Sequence, residues 1–453
     1  MILRVFLLFL GSLSGLLAQS PTLSSPPSSS PPFSPQDGDC IVFLGDSITH
    51  QCLYTQYLEN FFLTRFPERR LRFHNAGVAG DTVGDALLRF EEDVAARDPD
   101  YVTILLGMND GAYEEFSSER LQTYQDGMRI LLTKIQDIGA QPILLSPTMF
   151  DHAIVEWRAD DPAWRFRTKP FSENYNALLA YMGAWGLQEA AAHNIPWVDL
   201  WGPMNRHTFA ERRANPSFTM IGDAIHPQAS GQFLIAFEIL DQLGVESKGA
   251  STLAITWRGT KWATSKGVED LVVNHARDEL SFTFQATSLP WVITADDPGG
   301  ERWQLPPDGR VGYALTKAGH KLSAQRVKIA GLAPGTYEIL INDEPIGSWS
   351  HLALGTKIEL QENEKTPDYQ QALALAEANQ KRTDEIVRPM RDAWGKVKGL
   401  HRRLADNPQD LAAALSEQRP SLQNLASREQ ASLVDLHALA QPARHQYIVR
   451  RIK

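Results

Sequence analysis

The chain has 453 residues, 43% of them hydrophobic, and a formal net charge of −10. That length accommodates two or three domains with a packed core. The acidic balance argues against broad nucleic-acid binding, which needs a basic face for phosphates, and leaves neutral substrates open.

The first stretch reads as a secretory signal peptide over residues 1–18. Met1 to Arg4 is short and basic, Val5 to Leu17 is apolar with Gly and Ser, and Ala18 precedes the expected cut. Leu16 fits the small-residue position poorly, so the cleavage site stays open. The apolar run is short for spanning a bilayer, and no second candidate follows, so the mature chain is expected to hold no transmembrane segment. The expected location is periplasmic or extracellular. Residues 19–38 read as a Ser/Pro-rich linker, flexible or extended.

From Asp39 the pattern alternates. Strands are predicted at Cys40–Leu44, Leu71–His74, Tyr101–Leu106, Pro142–Ser146 and Trp197–Leu200. Helices are predicted near Gln51–Phe66, Val83–Arg97, Ser118–Ile138, Ser172–His193 and Ala229–Leu243. This order implies an α/β domain over residues 39–246, a parallel sheet with helices on both faces. Its crevice should lie at the carboxyl ends of the strands. The two cysteines, Cys40 and Cys52, stand at opposite ends of the first strand and its turn, about 15 Å apart by strand rise. That is too far for a disulfide, and no Cys or His stands at metal-ligand spacing.

Beyond Ala250 the pattern changes. Residues 250–361 form a β-rich segment, with Leu253–Trp257, Leu280–Phe284 and Tyr337–Ile341 alternating between Gly, Pro and Asp clusters. Residues 362–453 read as a helical C-terminal segment that opens on Thr366-Pro367-Asp368 and is broken at Asn407-Pro408, with shorter helical pieces to about Leu439. Its charges are mixed along helix faces, which suits a solvated surface.

The chemistry concentrates in four places. Ile41-Val42-Phe43-Leu44 runs into Gly45-Asp46-Ser47, then a helical pattern: a strand, a tight turn and a helix. The Ser47 hydroxyl faces the crevice there, and its N–H sits in the first helical turn, which favours developing negative charge. Asn75-Ala76-Gly77-Val78-Ala79-Gly80-Asp81 and Leu106-Gly107-Met108-Asn109-Asp110 follow the next two strands of the series. Gly222-Asp223-Ala224-Ile225-His226-Pro227 precedes the last helix. With these four motifs in order, residues Asp39 to Gly244 resemble the SGNH, or GDSL-type, hydrolase family.

The resemblance implies a three-layer, flavodoxin-like parallel sheet. It makes Ser47 the nucleophile, His226 the base and Asp223 the acid that orients the ring. It assigns the oxyanion hole to the Ser47 N–H, the Gly80 N–H and the Asn109 side-chain amide. Gly80 permits close backbone approach, and Asn109 offers two donors without charge. Asp46, Asp81 and Asp110 read as structural, with Asp46 fixing the turn. His74, His152, His193 and His207 read as ordinary histidines, with His74, placed at a strand end, the reserve base. No Gly-x-Ser-x-Gly elbow and no phosphate-binding glycine loop is present.

The expected activity is a secreted serine esterase needing no metal or organic cofactor. Its expected substrate is a small-molecule or polysaccharide ester, with deacetylation of carbohydrate favoured. The loop from Met149 to Pro170 carries Trp157, Trp164, Phe166, Arg158, Arg165 and Arg167, which suit a sugar if they border the crevice and anchor the loop if they face the core. Two alternatives stand beside this reading: a lipid or lysophospholipid esterase, and an exported binding or scaffold protein with a vestigial esterase domain. The oligomeric state is left open.

Overall fold

The first strand is buried along its whole length because it is flanked on both sides. In the computed structural model, which describes residues 33–245, 251–294 and 308–453, β1 (Cys40–Gly45) lies between β2 (Arg72–Gly77) and β3 (Tyr101–Leu105). β4 (Gln141–Leu145) and the short β5 (Trp197–Val198) complete a five-stranded sheet of order β2-β1-β3-β4-β5, parallel throughout. A parallel strand covered on both faces needs a continuous apolar run, and Ile41 to Leu44 supplies one. The chain leaves β1 toward β2 on one side and returns to β3 on the other. The reversal opens a crevice at the carboxyl ends of β1 and β3. The signal-peptide reading lies outside the described residues. The end of the Ser/Pro stretch is not all linker: Phe33 is buried edge-on against Phe62 and Tyr101.

Helices cover both faces of the sheet. Ser47–His50 (α1) is a single turn, followed by α2 (Leu53–Arg65) after Cys52, whose φ is +64°. The stretch expected as one helix from Val83 to Arg97 is a seven-residue helix, α3 (Val83–Arg89), that widens into a π turn at Phe90–Val94 and ends in a 3-10 turn. Thr82 and Asp85 form a reciprocal cap at its start. Next come α4 (Ser118–Asp137), α5 (His152–Trp157), α6 (Tyr175–His193), α7 (Trp201–Arg212) and α8 (Ala229–Gln242). α5 and α7 were not expected from the sequence.

The later residues build two further sheets around a shared core that includes Leu253, Phe282, Ile339 and Val449. One has the order β13-β10-β6-β7, with β6 (Ser251–Trp257), β7 (Trp262–Thr264), β10 (Gln325–Ala330) and β13 (Ile358–Glu359). The other has the order β12-β11-β14-β9-β8, with β8 (Val268–Val273), β9 (Glu279–Gln285), β11 (Thr336–Ile341), β12 (Glu344–Ser350) and β14 (Arg444–Arg451). The C-terminal segment is therefore not purely helical, since its last strand is the middle one of a sheet.

Before β14 the chain forms three long helical stretches. Pro367–Arg382 begins at a Thr366 cap with Pro367 in the first turn. Arg388–Arg403 follows a π turn. Pro408–Leu439 is one continuous 32-residue helix, where shorter pieces were expected; Pro408 sits in its first turn, and the helix runs on through Pro420. These helices pack onto the β2 side of the parallel sheet. Val78, just after β2, shares a buried cluster with Met390, Trp394 and Val397.

Candidate active site

The serine turn is fixed by its neighbours. Asp46 caps α1, its Oδ1 accepting from the Ile48 N–H at 2.9 Å. Gly45 is required sterically, since a Cβ there would collide with the Thr49 side chain. Ser47 is thus presented at the sheet edge, only 4% exposed. Burial lifts the Asp46 carboxyl to about 8, against the pull of the Ile48 N–H and with Asp110 and Asp81 nearby adding to the rise.

His226 faces Ser47 from across the crevice. Its Nε2 lies 2.8 Å from Ser47 Oγ, and its Nδ1 lies 2.8 Å from Asp223 Oδ2. The acid and the ring are held by a local turn. Asp223 Oδ1 accepts from the backbone N–H groups of Ile225 (3.0 Å) and His226 (2.7 Å), while Ala224 adopts φ +77°. Burial alone would raise the Asp223 carboxyl. The hydrogen bond and charge of His226 and the two backbone donors overcome it and hold the group down to about 2. Asp223 therefore stays charged at any ordinary pH.

A second layer covers this pair. Arg165 Nη2 donates to Asp223 Oδ2 at 2.9 Å and lies 3.0 Å from His226 Nδ1. The Phe166 ring is nearly parallel to the His226 ring, 6.5 Å between centroids. Of the loop aromatics, Trp164 is buried against Phe166 and Phe171 and anchors the loop. Trp157 ends α5 under the Arg212 guanidinium.

On the other side stand Gly80 and Asn109. Gly80 has φ +72°, and it follows Ala79 in a turn closed by the Asp81 N–H donating to Val78 O. Asn109 Nδ2 donates to Asp81 O at 2.9 Å and reaches Asp46 Oδ2 at 3.3 Å, while Tyr113 donates its hydroxyl proton to Asn109 Oδ1. The amide is therefore fixed in one orientation, spanning the serine turn and the glycine turn. Asp110 Oδ1 accepts from the Val83 N–H.

Two contacts reach this turn from the helix Arg388–Arg403. Lys398 Nζ donates to Ala79 O at 2.6 Å and Asp81 Oδ1 at 2.9 Å. His50 Nδ1 accepts from the Ala79 N–H, and its Nε2 lies 3.2 Å from Asp392 Oδ1. Behind them runs a buried charge network. Asp81 is also paired with Arg89, Arg89 with Asp93, and Asp93 with Arg391 through two parallel bonds of 2.8 and 2.9 Å. His74 is not at a strand end, as the sequence had suggested. It lies inside β2, its nitrogens 2.8 Å from Glu429 and 3.0 Å from Asp93. Its contacts are with this network, which makes it a poor reserve base.

Residues 43–233 match the family described as GDSL-like lipase/acylhydrolase. The chain carries a GDSL-type hydrolase domain. It is a serine hydrolase acting on ester bonds. An acetylxylan esterase from Geobacillus stearothermophilus is 27% identical over 231 residues, 46% of this chain and 95% of that protein. An uncharacterized lipoprotein of Bacillus subtilis is 34% identical over 74 residues, 16% of this chain and 30% of its own length. Among solved structures, a gut microbial diltiazem-metabolizing enzyme covers 94% of this chain and all of its own, with a TM-score of 0.78 and 20% identity. That likeness concerns the fold, and it extends through the β-rich and helical parts beyond the GDSL-type domain.

The four motifs thus meet at one sheet edge. Sequence reasoning noted Arg165 only as a loop cation and missed Lys398 altogether. The signal for Arg165 was its position in the loop after β4. Lys398 stands 317 residues from Asp81 and carries no local signal.

Proposed function

We propose that the protein is an exported carbohydrate acetylesterase in which Ser47, His226 and Asp223 act as a triad. The observation that carries this is the unbroken chain from Ser47 Oγ through His226 to Asp223, with both links at 2.8 Å. In the first step His226 Nε2 takes the Ser47 proton as Oγ attacks the ester carbonyl. The oxyanion is received by the N–H groups of Ser47 and Gly80 and by Asn109, whose amide turns the longer of its two bonds, the 3.3 Å contact to Asp46, toward the developing charge. The imidazolium, stabilised by Asp223, gives its proton to the leaving alcohol, and the acyl group stays on Ser47. Water, deprotonated by His226, then releases the acid and restores the serine.

Acetate is the favoured acyl group. Ser47 is nearly covered, and Phe166 and Arg165 close over the histidine, which leaves a polar, confined site rather than a long apolar groove. The acetylxylan esterase relative supports the carbohydrate side, and the signal-like N-terminus and the lipoprotein relative support export.

A series of nitrophenyl esters from acetate to decanoate, run with Ser47→Ala beside the native protein, tests this. Acetate should give the highest kcat/KM, and Ser47→Ala should lose on the order of 10⁴-fold or more in kcat. Peak activity at long chains would overturn the carbohydrate reading, and undiminished turnover by Ser47→Ala would overturn the triad.

A further inference from the structure

A cavity of about 480 Å³ opens beside the serine turn, between it and the C-terminal helices. Its inner wall is His50, the last residue of the turn that Ser47 begins, and Ala79, the neighbour of Gly80. Its outer wall is one face of Arg388–Arg403. There Gly395 and Gly399 keep the helix surface open, and Lys396 and Arg403 stand at the rim. The size falls within the range of about 300–1,000 Å³ usual for small-molecule sites.

The charges of this helix are distributed unevenly. Arg388, Arg391, Lys398 and Arg402 are bound to Asp384, Asp93, Asp81 and Asp85. Lys396 and Arg403 have no carboxylate partner among the described residues, and both line the cavity. The one carboxylate there, Asp392, is turned to His50. A chain of net charge −10 thus places two cations without a carboxylate partner among the described residues at a cavity that borders the serine turn through His50 and Ala79. Such a pair attracts an anion and adds specificity and association rate more than affinity.

Resting on the esterase reading above, we infer that this cavity is a subsite for the alcohol portion of the ester, and that it takes a carboxylate-bearing sugar. The sugar ring would lie over Gly395 and Gly399, its carboxylate between Lys396 and Arg403, and its acetylated hydroxyl toward Ser47. The C-terminal helices, outside the GDSL-type domain, would then select among substrates by charge. The uncharged lining by Gly395, Gly399, Ala79 and Leu400 suits a ring face. A phospholipid would need apolar space for its chain as well.

The test compares an acetylated hexuronic acid with the neutral acetylated hexose of the same configuration. Two exposed ion pairs, each worth up to about fivefold, should give the uronate ester a roughly three- to twentyfold advantage in kcat/KM. The advantage should shrink as salt rises from low to physiological and disappear in Lys396→Gln/Arg403→Gln. Free glucuronate should inhibit nitrophenyl acetate hydrolysis by the native protein more strongly than glucose, a measurement that requires no variant to fold. No preference for the uronate ester, a preference retained by the double variant, or stronger inhibition by glycerol phosphate than by glucuronate would each overturn the subsite. Absence of nitrophenyl acetate hydrolysis by the native protein would instead overturn the esterase reading itself.

Discussion

The two sides of the candidate site are held in different ways. The base side is local: Asp223 and His226 are three residues apart, and the same aspartate orients the ring and accepts from two backbone donors of its own turn. The proposed oxyanion side is assembled at long range. The Ala79–Asp81 turn is tied to Asn109 from the end of β3 and to Lys398 from a helix 317 residues away. Local geometry survives damage elsewhere in the molecule, whereas a turn tied to a distant helix is only as rigid as the packing of that helix. On the proposed reading the C-terminal segment helps to hold the oxyanion side, and changes in it should reach the chemistry without touching the histidine.

The strongest way to break this difference is at the buried root of the helix. Arg391 is fully buried and binds Asp93 through two bonds. Burial would raise the Asp93 carboxyl, but Arg391, His74 and Arg89 hold it well below its ordinary value. Removing one partner of a buried ion pair typically costs about 3–5 kcal/mol. Arg391→Met should lower unfolding stability by about that amount in urea titration. A variant within about 1 kcal/mol of the native protein would mean that the network does not hold the helix to the sheet.

A smaller and more specific effect is expected at Lys398. Its ammonium fixes Ala79 O and Asp81 Oδ1 on either side of Gly80. Lys398→Met should leave the helix packed and loosen the turn. Loss of an oxyanion donor typically costs about 10²–10³-fold in kcat. A donor displaced rather than removed should cost less, about 10-fold, mainly in kcat with KM little changed. Lys398→Arg should recover part of the loss by restoring a cation to Asp81. A change confined to KM, or no rescue by arginine, would separate Lys398 from the oxyanion side.

The same contrast decides what could be read in the sequence. The pairing of Asp223 with His226 was legible because the two stand three residues apart on one turn, and the family resemblance supplied their proposed roles. The place of Gly80 and Asn109 at the crevice was legible because they follow strands that alternate with helices in a regular order, while their proposed roles rest on the family resemblance. Lys398 was not, since a lysine on an amphipathic helix has the same local pattern whether it meets solvent or a turn 317 residues away. His74 was misplaced because its partners, Asp93 and Glu429, come from two other elements. The strand Arg444–Arg451 was missed for a related reason. Its flanking arginines mask a short apolar alternation that only its neighbours β9 and β11 stabilise.

The least conspicuous expected effect concerns Asp46, where the two sides meet. Its Oδ1 caps the serine helix and its Oδ2 faces Asn109. Burial raises its carboxyl from 3.8 to about 8, so the folded protein binds a proton there that the unfolded chain has lost above pH 4. The stabilising contribution is complete below about pH 4 and is lost as pH rises toward 8. Asp46→Asn keeps the capping oxygen and cannot ionise. It should therefore flatten the fall in stability between pH 5 and 8, gaining on the native protein as pH rises. Urea titrations of both proteins at several pH values measure this directly. The helix start should survive, because asparagine caps as well as aspartate. Parallel stability curves for the two proteins would show that Asp46 is ionised at no cost in the fold. The 3.3 Å contact between Asn109 Nδ2 and Asp46 Oδ2 would then be made to a carboxylate and hold the two sides together.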